Sequence, residues 1–240
     1  MVQRIEIPKS SLEIGYWAIR GLAQPIRFLL AYANVPFSEV RLGVKQDGSP
    51  VHDEDSDWEL HKRSLNMDFP NLPYLIDRES SPEIMLTQSN VIMRYLARRF
   101  DFYGDNKSEQ LIIDILQEEA YDFRNRIVET AYTLGDDFPA AFADFTATHL
   151  PRYLDGFEGY LRKQENSTAF VGNRTSLVDF IIYELIWQTS IMVPGSITQY
   201  SRPLLHNFIE AFKKHPTISN YMASEYYIYR PINSVWASFT

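Results

Sequence analysis

The chain has 240 residues, a formal net charge of −8, 45% apolar and 14% aromatic residues, and no cysteine. That length allows one large domain or two small ones, with ample apolar material for a packed core. The acidic balance disfavours nucleic acid and anionic membrane as partners. Without cysteine there can be no disulfide, no thiolate-bound zinc and no redox chemistry on a protein thiol, so any sulfur nucleophile must come from a ligand.

The first twelve residues carry Arg4, Glu6 and Pro8 and lack an apolar h-region, so no signal peptide is expected there and they read as an N-terminal extension. No apolar run approaches the roughly 18 residues that a membrane-spanning helix needs. The expectation is a soluble, cytoplasmic protein. Residues 13–18 read as a strand, and Arg20-Gly21 turns the chain into a helix. Leu22, Ala23, Ile26, Leu29, Leu30 and Ala33 keep helical spacing, with Pro25 tolerated in the first turn. Residues 37–42 alternate as a second strand, so the three elements form a βαβ unit with a parallel pair and a right-handed crossover. A long polar loop with an acidic run at 52–57 follows, and it reads as a solvated loop. A short helix is expected over 58–65.

The stretch 68–90 organises the rest. Two prolines, Pro70 and Pro73, would rule out a central strand, yet Tyr74-Leu75-Ile76 is a strand-like run. Both signals are met if Pro73 stands at a strand entrance after a cis Leu72-Pro73 bond. That geometry turns the backbone N–H and C=O of Leu72 outward, where an extended peptide can pair with them. Strands at 74–77 and 84–87 form a hairpin, and a helix over 89–100 begins at Ser89, read as its N-cap. The free N–H groups of that first turn attract a carboxylate. The order β-α-β-α-β-β-α makes a small α/β domain with a mixed sheet.

Beyond residue 101 no strand pattern returns. A helix over 107–134, about 40 Å long, is capped by Asn106 with Glu109 three residues on and stopped by Gly135. Helices follow at 138–149 and 151–164. Ser176-Leu-Val-Asp is a capping box that opens a very apolar helix through Trp187, and helices over 199–215 and 216–224 complete the chain. The domains are therefore 1–101, with the extension 1–12, and an all-α domain over 102–240.

Ile14-Gly-Tyr-Trp-Ala-Ile-Arg-Gly-Leu, Asp68-Phe-Pro-Asn-Leu-Pro-Tyr-Leu-Ile-Asp and Thr87-Gln-Ser-Asn-Val-Ile-Met-Arg-Tyr-Leu-Ala-Arg together resemble the cytosolic glutathione transferases, the mu class above all. The segment Phe170-Val-Gly-Asn through Ser-Leu-Val-Asp-Phe resembles the capping-box segment of their helical domain, and the likeness runs from Glu13 over nearly the whole chain. The resemblance implies a thioredoxin-like N-terminal domain followed by an all-α helical bundle. It also implies conjugation of the glutathione thiolate to hydrophobic electrophiles, with glutathione as co-substrate, no metal, and a homodimer.

Residue by residue, the resemblance assigns Tyr16 as the catalytic hydroxyl that holds the glutathione sulfur. A hydroxyl donating to a thiolate favours the charged form and lowers the thiol pKa, whereas a phenolate base would be the costlier state. Trp17 and Leu22 belong to the glutathione-binding set. Trp58 and Lys62 match the pair that meets the glycyl carboxylate, Asn71 and Leu72 those that hold the tripeptide backbone, and Gln88 and Ser89 those that grip the γ-glutamyl end. Asp122 corresponds to a carboxylate reaching the neighbouring subunit's ligand, and Tyr132 to a second hydroxyl facing the electrophile. These two lie about 15 Å apart along one helix, so they cannot serve the same atoms. Phe69 stands where the family has an aromatic dimer key. Arg94 lies on the partner-facing helix, where it would meet Asp114 and Glu118 of the other chain. The family's basic residue before the loop tryptophan is Asp55 here, and the acid after the first-strand tryptophan is Ala18. The C-terminal tail is shorter than the mu ending. The alternative is a glutathione-fold carrier of apolar ligands with low turnover, against which Tyr16, Gln88 and Ser89 argue, since a carrier needs none of them.

Overall fold

Five strands form one mixed sheet in the order β1-β3-β2-β4-β5. The computed structural model describes residues 3–5, 10–43, 58–165, 168–198 and 201–240. The central strand β2 (Leu12–Trp17) is flanked by β3 (Ser38–Leu42) in parallel and by β4 (Tyr74–Asp77) antiparallel, and β5 (Ile84–Thr87) closes a hairpin with β4. Helix α1 (Gln24–Tyr32) makes the crossover from β2 to β3, α2 (Trp58–Ser64) follows β3, and α3 (Ser89–Arg99) follows β5. From β2 to α3 the order matches that read from the sequence.

One correction falls at the start of the chain. Residues Gln3–Ile5, expected as extension, form strand β1, antiparallel to β3 at the sheet edge. A three-residue strand carries no periodic signal, because two alternations cannot be told from chance.

The second half of the described chain is helical. It comprises α4 (Lys107–Ala131), α5 (Phe138–Asp144), α6 (Leu150–Leu161), α7 (Leu177–Met192), α8 (Pro203–Lys214) and α9 (Pro216–Met222). Asn106 caps α4 as expected, its side chain accepting from the N–H groups of Ser108 and Glu109. A single turn of π-helix, Phe145–His149, joins α5 to α6 without a break, where two separate helices were expected. Pro151 in the first turn of α6 explains it: proline has no N–H and its ring crowds the carbonyl four residues back. The ladder widens there, and Leu150 N–H reaches the carbonyl of Phe145, five residues back.

One continuous core runs from Leu12 and Ile14 of β2 through α1 to Phe180, Tyr183 and Ile186 of α7 and on to Ile232. Helix α1 touches α3, α7 and α9. The apolar stripe read along α1 therefore packs the sheet against the helical half, and Leu22 and Ser89 line a cavity between them.

Candidate active site

Tyr16 lies at the end of β2, 6% exposed. The strand passes close under another ring: a Cβ at Gly15 would lie 1.9 Å from Tyr74, so only glycine fits. The Tyr16 oxygen accepts the backbone N–H of Leu22 at 3.1 Å. Gly21, at φ +41°, lets the chain fold over the ring, and a Cβ there would sit 2.5 Å from the Tyr16 oxygen. Burial pushes the phenol above its ordinary pKa, against the opposing pull of the Leu22 N–H and the charges of Arg124 and Arg27. Tyr16 is thus a neutral phenol near pH 7. Because its oxygen accepts from Leu22, its own proton stays free to donate.

The Leu72-Pro73 bond is cis, as expected. The Leu72 N–H is not unpaired, however. Asn71 Oδ1 accepts it at 2.8 Å, a local side-chain bond of the kind Asn makes in turns. Gln88, at φ 69°, occupies the N-cap position of α3 and makes no side-chain cap, so Ser89, expected as the N-cap, is the first helical residue. The first-turn N–H groups of α3 stay available for an acceptor. Trp17, Trp58 and Leu72 pack with Tyr16 in one small cluster beside the sheet. Lys62 forms an ion pair with Glu59 at 2.6 Å. Helix α2 is tied down by His61, whose Nε2 meets the Tyr74 hydroxyl at 3.0 Å. Asp55 and the acidic run 52–57 lie outside the described residues.

Between the two halves of the chain is a cavity. Leu22 and Ser89 line it from one side, and Arg124, Val128, Leu185 and Asn233 from the other. Reading the sequence missed what fastens it. Arg20, fully buried, grips Glu184 of α7 with two bonds, Nε to Oε1 at 2.8 Å and an Nη to Oε2 at 2.6 Å. Its guanidinium also stacks over Trp187, 3.9 Å from the ring centroid. The signal was present: a lone carboxylate inside Ile-Ile-Tyr-Glu-Leu-Ile-Trp must find a buried partner.

The C-terminal tail crosses the same loop. Arg20 and Gly21 donate their N–H groups to the carbonyls of Pro231 and Ile232, and Ser238 N–H reaches Ala131 at the end of α4. The Tyr132 hydroxyl, expected to face an electrophile, accepts the Ser234 N–H at 3.0 Å and so is also a tail contact. Tyr132 adds, as the smallest contribution, to the resistance of Tyr16 to ionisation, which places the two residues in one neighbourhood.

Asp122 is exposed and lines a separate polar hollow with Arg126, Glu129 and Arg152, not the cavity beside Tyr16. Phe69 is 80% exposed and takes no part in the core. Arg94 bonds Asp114 at 3.1 Å and Glu118 at 2.5 Å within its own chain. The acids expected as its partners across a dimer are thus also its partners within the chain, where a long side chain between adjacent helices reaches its own neighbours.

A family model described as Glutathione S-transferase, N-terminal domain, matches residues 12–98, and one described as Glutathione S-transferase, C-terminal domain, matches residues 121–225. Relatives include Glutathione S-transferase Mu 1 of Oryctolagus cuniculus, 35% identical over 225 residues, with 92% of this chain and 94% of that protein covered. Glutathione S-transferase Mu 3 of Homo sapiens is 31% identical over 233 residues, with 95% of each covered. Among solved structures, glutathione S-transferase Blo t 8 superposes with a TM-score of 0.82 at 27% identity, covering 95% of this chain and 99% of that one.

Proposed function

Because the chain belongs to the glutathione S-transferase family and resembles mu-class members over most of its length, we propose that it joins the glutathione thiolate to hydrophobic electrophiles. The observation that carries this reading is the state of Tyr16. It is a buried, neutral phenol whose oxygen accepts from Leu22, a residue that lines the cavity, and whose proton is free. A thiol placed at that hydroxyl ionises more readily, since the donor stabilises the thiolate and not the thiol. The sulfur attacks the electrophile held beside it, with gains from proximity and from having the reactive ionisation state at neutral pH.

On the same reading Trp58, Lys62, Asn71, Leu72, Gln88 and Ser89 hold the tripeptide. For Asn71 and Lys62 this means exchanging a contact within the chain for one to the ligand: Asn71 gives up Leu72 N–H, and Lys62 shares its charge with Glu59. Tyr132 reaches the electrophile with the proton its oxygen keeps after accepting from Ser234. The exposed Phe69 supports a homodimer, with Asp122 reaching the partner's ligand, and a cytoplasmic setting goes with the proposed role. Conjugation of an aryl halide, followed with and without glutathione, tests the proposal. Glutathione-dependent turnover is the expected result. Binding of the halide with no product formed overturns the proposal in favour of a carrier.

A further inference from the structure

Among the described residues two charged side chains, Glu184 and Arg124, line the cavity, and of these Glu184 alone is neutralised. Both oxygens of Glu184 are taken: Oε1 accepts from Arg20 Nε at 2.8 Å and from Gln188 Nε2 at 2.9 Å, and Oε2 from an Arg20 Nη at 2.6 Å. Nothing of that carboxylate's charge is left for a ligand. Arg124 is different. It sits on α4 between Tyr121, three residues before it, and Val128, four after, so all three share the helix face turned to the cavity. It is half-buried, and among the described residues it has no ion pair and no hydrogen bond. Arg20, Arg27, Arg94 and Arg174 by contrast all hold carboxylates.

Most of the remaining wall is apolar, from Leu22, Pro25, Met93, Ile181 and Leu185, and its other polar groups, among them Ser89, Asn90 and Gln117, are uncharged. A guanidinium on a mostly apolar wall, with the cavity's acid Glu184 already satisfied, presents a planar set of donors with no acceptor among the described residues. Its field also reaches the Tyr16 oxygen.

We propose that Arg124 makes this cavity selective for electrophiles with an apolar, preferably aromatic, body and an anionic group, a carboxylate in particular. The inference rests on the reading that the cavity receives the electrophile. For a halogenated nitrobenzoate the chemistry balances simply. The thiolate adds to the ring carbon bearing the halogen, a C–S bond forms, the C–halogen bond breaks, halide leaves, and the thiol proton passes to solvent. Arg124 takes no part in those bonds. It holds the carboxylate, and with it the ring, at a fixed distance from the sulfur.

The test uses the full chain with glutathione present and two unreactive probes, dinitrobenzoate and its methyl ester, which match in shape and differ in charge. Equilibrium dialysis should show the acid bound at least about tenfold more tightly than the ester, the scale of one charge-assisted contact. In Arg124→Gln that ratio should fall to about one, and Arg124→Lys should keep part of it. Equal affinities in the wild type, or an unchanged ratio in Arg124→Gln, overturn the proposal. Turnover of chlorodinitrobenzene on the same wild-type sample separates this from the reading beneath it. Turnover without acid preference removes the role of Arg124 alone; acid preference without turnover upholds that role and removes the transferase reading.

Discussion

Gly21 decides where the Tyr16 oxygen can sit. Its positive φ and the 2.5 Å approach of a would-be Cβ mean that any side chain must displace the hydroxyl or the loop. Leu22, the next residue, supplies the N–H that orients the phenol. Gly21→Ala should therefore lower kcat/KM with an aryl halide by at least about tenfold, which is only ~1.4 kcal/mol of transition-state stabilisation, while the far-ultraviolet circular dichroism stays as in the wild type. Full activity in this variant would show that the loop does not set the hydroxyl. At this scale some residues could be read in advance and others could not. Tyr16, Gln88 and Ser89 stand in motifs whose order and spacing are informative along the chain. Arg20, Glu184 and Arg124 are distinguished only by which other side chains fold against them, and that is invisible until the two halves meet.

Among the elements, α7 shows most clearly how local chemistry supports the site. The capping box read from Ser176 and Asp179 is formed, and the Asp179 carboxylate also accepts the Phe170 N–H at 2.8 Å. It thus fixes both the start of α7 and the segment before it, and α7 carries Glu184 to Arg20. Asp179→Ala leaves the N–H groups of Phe170 and Ser176 buried without acceptors, at roughly 1–3 kcal/mol each. Urea unfolding should show a loss of several kcal/mol, and a loss below about 1 kcal/mol would contradict this account. The pH dependence has a definite sign. Burial lifts the Asp179 carboxyl from 3.8 to about 6. A folded pKa above the unfolded one gives stability that is full below about pH 4 and lost as pH rises through about 6. The gap between wild type and Asp179→Ala should narrow from pH 4 to pH 7. Elements with strong periodicity or caps, such as α1, α4 and α7, were readable. Strand β1 was too short to leave a pattern, and the π-helical turn follows from Pro151 lying inside a continuing helix, where proline usually signals a start.

At the scale of the whole molecule, the change from strands to helices after α3 was plain in the sequence, but the continuity of the core across it was not. Leu12 of the sheet and Phe180 of α7 belong to one packed cluster. The loop 20–22, which donates to the tail and grips Glu184, ties the two halves together at the site. The outer surface carries apolar groups that the proposed homodimer would cover. Phe69 is 80% exposed beside the Leu72 edge, and Val91, Leu111 and Ile115 are exposed on α3 and α4. Burying one Phe side chain is worth roughly 1.5–3 kcal/mol. In a two-fold dimer it is gained twice. On the proposed homodimer, in which Asp122 serves the neighbour's ligand, Phe69→Ser should weaken the dimer in sedimentation and weaken glutathione binding in the same sample. A monomeric variant that binds glutathione at full strength would remove the shared site.

The central claim is that the Tyr16 proton sets the ionisation of the bound thiol, and one titration tests it. The thiolate absorbance of the glutathione complex is followed against pH for wild type and Tyr16→Phe. Loss of one donor to a charged acceptor, about 1.5–3 kcal/mol, should raise the midpoint by about one to two pH units with glutathione affinity nearly unchanged. A midpoint that stays where it is would mean that another group holds the sulfur, and the account of Tyr16 would fail.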